Sequence, residues 1–179
     1  MRINQTEFAV IVLPREATAR ERFAAEELQS YIQKIVGILL PIVEDSDADV
    51  QRFIIGGPAR NMAARSVMTE AEFGAAVTGD EGFLIRSFGT DTILLAGREG
   101  SAERGTIYAV YEFLERYLDC SLSAFSHPEL DAGEYVPTRQ EICLDAVDYV
   151  KAKADCALRG AVVQFSDAAG NVERGLNSH

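Results

Sequence analysis

The 179-residue chain contains few of the residues that build metal or redox sites. It has no tryptophan, two histidines and three cysteines, Cys120, Cys143 and Cys156, which form no Cys-x-x-Cys pair. The usual ligand spacings of a zinc site are therefore missing. Buried, unpaired cysteines are the favoured interpretation, with one disulfide left open as the alternative. We expect no metal and no cofactor.

Basic residues are also scarce, because 17 Lys and Arg stand against 28 Asp and Glu, for a net charge of −11. Binding to nucleic acid or to an anionic membrane surface needs clustered basic side chains, so both partners are disfavoured. No run approaches the roughly 20 apolar residues of a membrane span. The apolar run at residues 8–13 is too short for a signal peptide and predicts a first strand.

Two long segments instead carry apolar residues three and four positions apart, which predicts amphipathic helices at residues 16–36 and 101–118. Gly37 is placed to end the first helix, and Ser101 to cap the second. Short β-branched runs predict strands at residues 8–13, 39–43 and 52–55, and a hairpin at residues 82–96. Pro41 favours an edge position for the second of these strands. Residues 59–76 are ambiguous, with short helices at 60–68 and 70–73 as one interpretation. This order predicts an α+β fold, a two-layer sandwich of one mixed sheet with both long helices on one face.

Three features could carry chemistry, and each has a simpler explanation. Residues 96–105 place glycines, Arg98 and Arg104 before a helix, where amides can bind an anion. The pattern lacks the P-loop lysine, so a strand-to-helix connection is favoured, with both arginines in ion pairs or contacting a neighbouring domain. A pair of catalytic carboxylates faces the reacting bond from two sides. Asp80 and Glu81 are instead sequence neighbours, whose side chains point apart on a strand, so a polar turn is favoured. His127 precedes a proline in a predicted loop, so no catalytic residue is predicted.

Several stretches, in one order and spacing, resemble the N-terminal accessory domain of bacterial glycoside hydrolases. These enzymes include alpha-glucuronidases, beta-N-acetylhexosaminidases and endo-beta-N-acetylglucosaminidase-like proteins. The most specific stretch is Arg104-Gly105-Thr106 with the helical run at residues 108–118. It lies within one of the five stretches that carry the resemblance, namely residues 21–43, 53–57, 79–87, 93–120 and 134–137.

The resemblance implies a hexosaminidase-like N-terminal domain at residues 1–145, followed at 146–179 by a linker and the start of a shortened catalytic (β/α)₈ barrel. The parent protein would then be a glycoside hydrolase acting on complex glycans, and this chain its non-catalytic domain, packed against the barrel. The alternative is an independent carbohydrate-binding module, in which Tyr and Phe would replace the missing Trp. The parent enzyme is expected in the periplasm or at the cell surface.

One residue is singled out as a substrate contact. The segment at residues 156–163 resembles the first barrel strand of the hexosaminidases, where the arginine of an Arg-Gly pair binds substrate hydroxyls. The resemblance therefore implies substrate binding by Arg159 in the presence of the full barrel. The alternative for Arg159 is a structural ion pair with a nearby carboxylate.

Overall fold

The computed structural model describes residues 1–44, 50–98, 104–121 and 134–153, together with the backbone of two strands at 160–166 and 172–178. In chain order the elements are β1 (Arg2–Ile3), β2 (Ala9–Leu13), α1 (Ala19–Val36), β3 (Ile42–Glu44), β4 (Gln51–Ile55), α2 (Met62–Val67), α3 (Glu70–Ala76), β5 (Phe83–Phe88), β6 (Thr92–Gly97), α4 (Gly105–Leu118), β7 (Ile142–Cys143), β8 (Asp148–Lys151), β9 (Gly160–Ser166) and β10 (Val172–Ser178).

Six of these strands form one mixed sheet in the order β3-β2-β4-β6-β5-β8. Strands β3, β2, β4 and β6 are parallel, and β5 runs antiparallel to both β6 and β8. The parallel strands and β8 therefore all end at one edge, which we call the carboxyl edge. They all begin at the opposite edge, the amino edge. Strand β3 is the outermost strand of the sheet, which confirms the position at the side of the sheet that Pro41 predicts.

The two long helices pack on one face of the sheet, as predicted. Leu28 and Ile32 of α1 and Val110 and Leu114 of α4 are fully buried in the core that this face forms. Alternate strand residues supply the other half of this core, since successive side chains of a strand point to opposite faces. Phe113 of α4 meets one of them, Phe53, edge to face at 5.6 Å between ring centroids. The predicted α+β sandwich is confirmed.

The opposite face of the sheet carries a second, smaller core under the short helices. It contains Val12, Ile54 and Leu94 from the strands, packed with Ala64 of α2 and with Met68. Helix α3 contains no fully buried residue. The two short helices therefore add a thin layer that the prediction of helices on one face did not include.

The helix ends follow local capping chemistry. Thr18 and Glu21 form a reciprocal capping box at the start of α1. Gly37 has φ of 73° and ends α1 in the left-handed conformation, as its position predicted. The second long helix is described from Gly105, and Arg104 in the N-cap position makes no side-chain capping bond. Ser101, which the sequence predicts as the cap, lies outside the described residues.

The sheet extends beyond residue 145, where the sequence placed the domain boundary. Residues 148–151 form β8, which pairs with β5 in the register Arg86↔Asp148. The buried Val147 and half-buried Tyr149 anchor this edge strand, a pattern too short to recognise in the sequence. Further along, β9 and β10 pair with each other in an antiparallel hairpin. Whether β9 begins a barrel stays a prediction.

The described cysteines differ in their environments. Cys120 is buried, and burial raises the pKa of its thiol, as expected for a small core residue rather than a nucleophile. Cys143 is exposed, which corrects the expectation of burial, because it alternates with the buried Ile142 on the short strand β7. Both thiols are unpaired. Among the described residues, no helix has the length and apolar character that crossing a membrane requires.

Candidate functional site

Three glycines pack together where β6 leads into α4 at the carboxyl edge. A Cβ atom on Gly97 would lie 2.0 Å from the carbonyl carbon of Gly105, and one on Gly105 would lie 2.4 Å from the oxygen of Gly82. The amide of Gly97 also donates to Oγ1 of Thr106 at 3.0 Å. The Gly105-Thr106 pair singled out in the sequence therefore serves close packing of helix on strand.

The same contacts bear on the anion site considered for residues 96–105. The amide of Gly97 is bonded to Thr106, and the amide of Arg98 donates to the oxygen of Gly82 at 3.0 Å. Nη1 of Arg98 donates to the carbonyl oxygen of Thr78 at 2.8 Å. These groups are engaged within the domain, which supports a strand-to-helix connection. Residues 99–103 lie outside the described part of the chain.

Asn61 joins two strands to a helix at this edge. Its buried side-chain nitrogen donates to the carbonyl oxygens of Val12 at 3.3 Å and Ile55 at 2.9 Å. Its side-chain oxygen accepts from the amides of Ala63 at 2.9 Å and Ala64 at 3.3 Å, at the start of α2. Every polar group of this amide is thus used in fixing the ends of β2 and β4 against α2.

A buried carboxylate and an arginine connect α1 to the turn after β4. Glu21 is 2% exposed, and its Oε2 accepts from the amide of Thr18 at 2.6 Å. Its Oε1 accepts no hydrogen bond and lies 3.8 Å from Nε of Arg60. Arg60 also donates to the carbonyl oxygen of Glu16. This pair explains why a glutamate in the first turn of α1 can be buried.

A cleft of about 330 Å³ opens between α3 and the turn that follows β4. Its apolar lining includes Pro58, Phe73 and Val77, and its charged lining consists of Glu70 and Arg98. Besides its exposed glutamates Glu70 and Glu72, α3 exposes three small residues beside the cleft, Ala71, Gly74 and Ala75. These residues share one helical face, because they are spaced three and four apart. We call this face and the cleft together the α3 surface.

The chain leaves the sheet beside the α3 surface. The amides of Thr78 and Gly79 donate to the carbonyl oxygen of Ala152 at 3.0 and 2.9 Å. A Cβ atom on Gly79 would lie 2.4 Å from Cβ of Lys153, so the two segments are in direct contact. Lys153, the last residue described before residue 160, therefore lies next to this surface.

Residues 2–113 of this sequence match the family model described as the glycosyl hydrolase family 67 N-terminus. The chain belongs to this family. The expected resemblance to the N-terminal domain of glycoside hydrolases, alpha-glucuronidases among them, is therefore confirmed. No curated protein matches the chain.

The fold of this family 67 N-terminal domain also occurs in a solved structure from another glycoside hydrolase family. That structure is a family GH115 4-O-methyl-alpha-glucuronidase with specificity for decorated arabinogalactans. It matches 90% of this chain with a TM-score of 0.54 and 12% identity, a likeness of fold. The chain spans 19% of the length of that enzyme.

The family 67 N-terminal domain assembles no metal site in its described part, where no three His, Cys, Asp or Glu side chains come together. Asp80 and Glu81 lie in the predicted turn, closed by a bond from the amide of Gly82 to the oxygen of Gly79 at 3.2 Å. Arg159 and His127 lie outside the described residues. The sequence interpretation missed Asn61, although an asparagine before a short helical segment is a capping signal.

Proposed function

We propose that this chain is the non-catalytic accessory domain of a glycoside hydrolase and that it packs against the catalytic domain through the carboxyl edge. The observation that carries this proposal is the position of Ala152 and Lys153 against residues 78–79, where the chain leaves the sheet. The family match supports the assignment to a glycoside hydrolase. A domain joined to Lys153 by a short connection would meet this edge rather than the amino edge.

The α3 surface has the chemistry of a domain interface. Exposed helix positions in water usually carry long polar side chains, whereas Ala71, Gly74 and Ala75 leave the backbone of α3 open to close approach. The adjoining cleft offers the apolar side chains of Phe73 and Val77 to a partner. Interfaces between domains combine an apolar centre with charged residues at the margin, which Glu70 and Arg98 can provide.

In this proposal, the catalytic carboxylates and the glycan subsites belong to the parent enzyme's barrel. The chain itself contributes stability and position, and no step of glycan hydrolysis. Substrate binding by Arg159 and export of the parent protein stay predictions, as does the domain boundary that places a barrel after the accessory domain.

The proposal is tested by placing a charge on each edge. Ala75→Glu modifies the α3 surface, and Ala146→Glu is the matched control at an exposed position of the amino edge. In the 179-residue chain both changes should alter unfolding free energy by less than about 0.5 kcal/mol, because both side chains are exposed. In the complete gene product, only Ala75→Glu should split thermal unfolding into two transitions and lower the first Tm.

Two results would contradict the proposal. One is a reading frame that supplies no catalytic domain after this chain. The other is an Ala75→Glu protein whose two domains still unfold together at the wild-type Tm, as in the Ala146→Glu control.

A further inference from the structure

A continuous groove crosses the amino edge, at the end of the domain opposite the α3 surface. It consists of three cavities of about 390, 330 and 290 Å³. The first and second share Glu7, Gln51 and Asp91, and the first and third share Thr90 and Asp145. The topology requires this proximity, since these residues flank the starts of the parallel strands and of β8. We call it the amino-edge groove.

One end of the amino-edge groove is apolar and exposed. Phe8 is 53% exposed and Val50 is 37% exposed, and both line the same cavity as Thr6 and Glu7. Phe8 directly precedes the buried strand β2 and continues its apolar run into solvent. Val50 directly precedes β4, whose first two residues are polar and half-buried. An exposed phenylalanine ring next to a polar groove offers a flat apolar surface for a ligand that also carries many polar groups.

The rest of the amino-edge groove presents short polar side chains at the sheet end. Thr90 and Asp91 belong to the hairpin turn before β6, and Asp145 precedes β8. Hydroxyl and carboxylate groups accept or donate hydrogen bonds at close spacing, which suits a ligand with several hydroxyls. Gln51 stabilises the wall of the groove, because its side-chain amide forms two hydrogen bonds of 2.7 Å with the backbone of Arg2.

The charge of the amino-edge groove selects among such ligands. Glu7, Asp91 and Asp145 supply three carboxylates, against one guanidinium from Arg2, which lies 3.7 Å from the carboxylate of Glu141. The local charge is therefore negative and disfavours ligands that carry carboxylates of their own. A neutral sugar chain fits, because each pyranose ring has an apolar C–H face and a rim of hydroxyls.

We propose that the amino-edge groove binds neutral oligosaccharides, with Phe8 stacking against one sugar ring and Thr90, Asp91 and Asp145 bonding its hydroxyls. The choice of sugars among polar ligands rests on the proposed function in a glycoside hydrolase. The amino-edge groove lies at the end of the domain opposite the carboxyl edge, so a catalytic domain docked on the carboxyl edge leaves the groove open. The domain then holds a glycan at a distance from the catalytic site.

The test is an amide NMR titration of the 179-residue chain with xylohexaose and cellohexaose, and with tri-galacturonic acid as the anionic comparison. We expect shifts of amides at residues 6–8, 50–51 and 90–92 with at least one neutral probe. The dissociation constant should be on the order of 1 mM, as for a shallow and open site. Phe8→Ala should weaken this binding about tenfold or more, whereas Phe8→Tyr, which keeps the ring, should retain it.

Phe23→Ala is the matched control, because Phe23 is 45% exposed on α1 and lies outside the groove. A dispersed spectrum of each variant confirms that it folds. The proposal is overturned if neither neutral probe shifts these amides at 10 mM, if Phe23→Ala weakens binding as much as Phe8→Ala, or if tri-galacturonic acid binds as tightly as the neutral probes. The docking experiment is made on a different edge, so either proposal can fail alone.

Discussion

At the scale of single residues, the contact among Gly82, Gly97 and Gly105 gives a physical reason for the Gly105-Thr106 pair, part of the most specific stretch of the family resemblance. The backbones of β6 and α4 approach so closely that a methyl group has no space at either Gly97 or Gly105. The hydroxyl oxygen of Thr106 then accepts the hydrogen bond from the amide of Gly97, in place of a carbonyl oxygen on a neighbouring strand. A glycine-rich motif before a helix is thus explained by packing rather than by ligand binding.

Gly97→Ala should lower the free energy of unfolding by about 1–3 kcal/mol or more, because its Cβ atom would overlap the backbone of Gly105. The control is Gly74→Ala in α3, where a Cβ atom meets nothing within 4 Å. That change should stabilise by roughly 0.5–1 kcal/mol, the helix preference of alanine over glycine. Urea denaturation measures both. Equal effects of the two substitutions would show that the glycine contact is not tight.

Asn61→Ala should cost about 2–4 kcal/mol, because it removes a helix cap and leaves the carbonyl groups of Val12 and Ile55 without their donor. Asn61→Asp keeps the acceptor for α2 but removes both donors, so it should remain clearly less stable than wild type. Chemical denaturation of the three proteins checks this. Near wild-type stability of the aspartate variant would contradict the role of the strand carbonyls.

At the scale of elements, the two long helices carry the larger core. Leu114 of α4 is fully buried between helix and sheet, whereas its neighbour Glu115 is exposed. Leu114→Ala should therefore cost about 2–5 kcal/mol through lost burial and the cavity that remains. Glu115→Ala should change stability by less than about 0.5 kcal/mol. Denaturation midpoints give the comparison, and an unchanged midpoint for Leu114→Ala would mean that the helix face is misplaced.

The elements that were predicted correctly are those in which the apolar repeat extends over many residues or the turn signal is clear. Helix α1, the β5–β6 hairpin and the burial of Leu28 and Ile32 follow from spacing alone. The strand β8 was missed because it has only four residues, and its pairing with β5 connects residues about 60 positions apart. The short helices α2 and α3 agree with the interpretation of residues 59–76 as two short helices, but their layer on the opposite face of the sheet was not predicted. Helices of six and seven residues show too little periodicity to assign the face on which they pack.

The candidate sites were less predictable than the elements. The α3 surface and the amino-edge groove bring together residues from several strand ends and turns, and no local pattern joins Phe8 to Asp91 or Phe73 to Arg98. Such sites depend on strand order, which the sequence left open. The family resemblance, in contrast, was carried by short stretches and agrees with the match over residues 2–113.

At the scale of the whole molecule, we expect that this chain alone hydrolyses no glycoside. The purified 179-residue chain should show no turnover of nitrophenyl glycosides above a buffer blank, because the proposal assigns the catalytic carboxylates to another domain. Activity that copurifies with the chain through two unrelated chromatography steps would contradict this assignment. Addition of a chelator is a useful control for contaminating metal-dependent hydrolases.

Amide hydrogen exchange tests the proposed docking of the carboxyl edge most directly, by comparing the 179-residue chain with the complete gene product. We expect peptides covering residues 56–60 and 70–79 to exchange at least about tenfold more slowly in the complete protein, because the α3 surface is then covered. Peptides covering residues 6–8 and 89–92 at the amino edge should exchange equally in both. Unchanged exchange at the α3 surface, or protection confined to the amino edge, would contradict docking of the catalytic domain on the carboxyl edge.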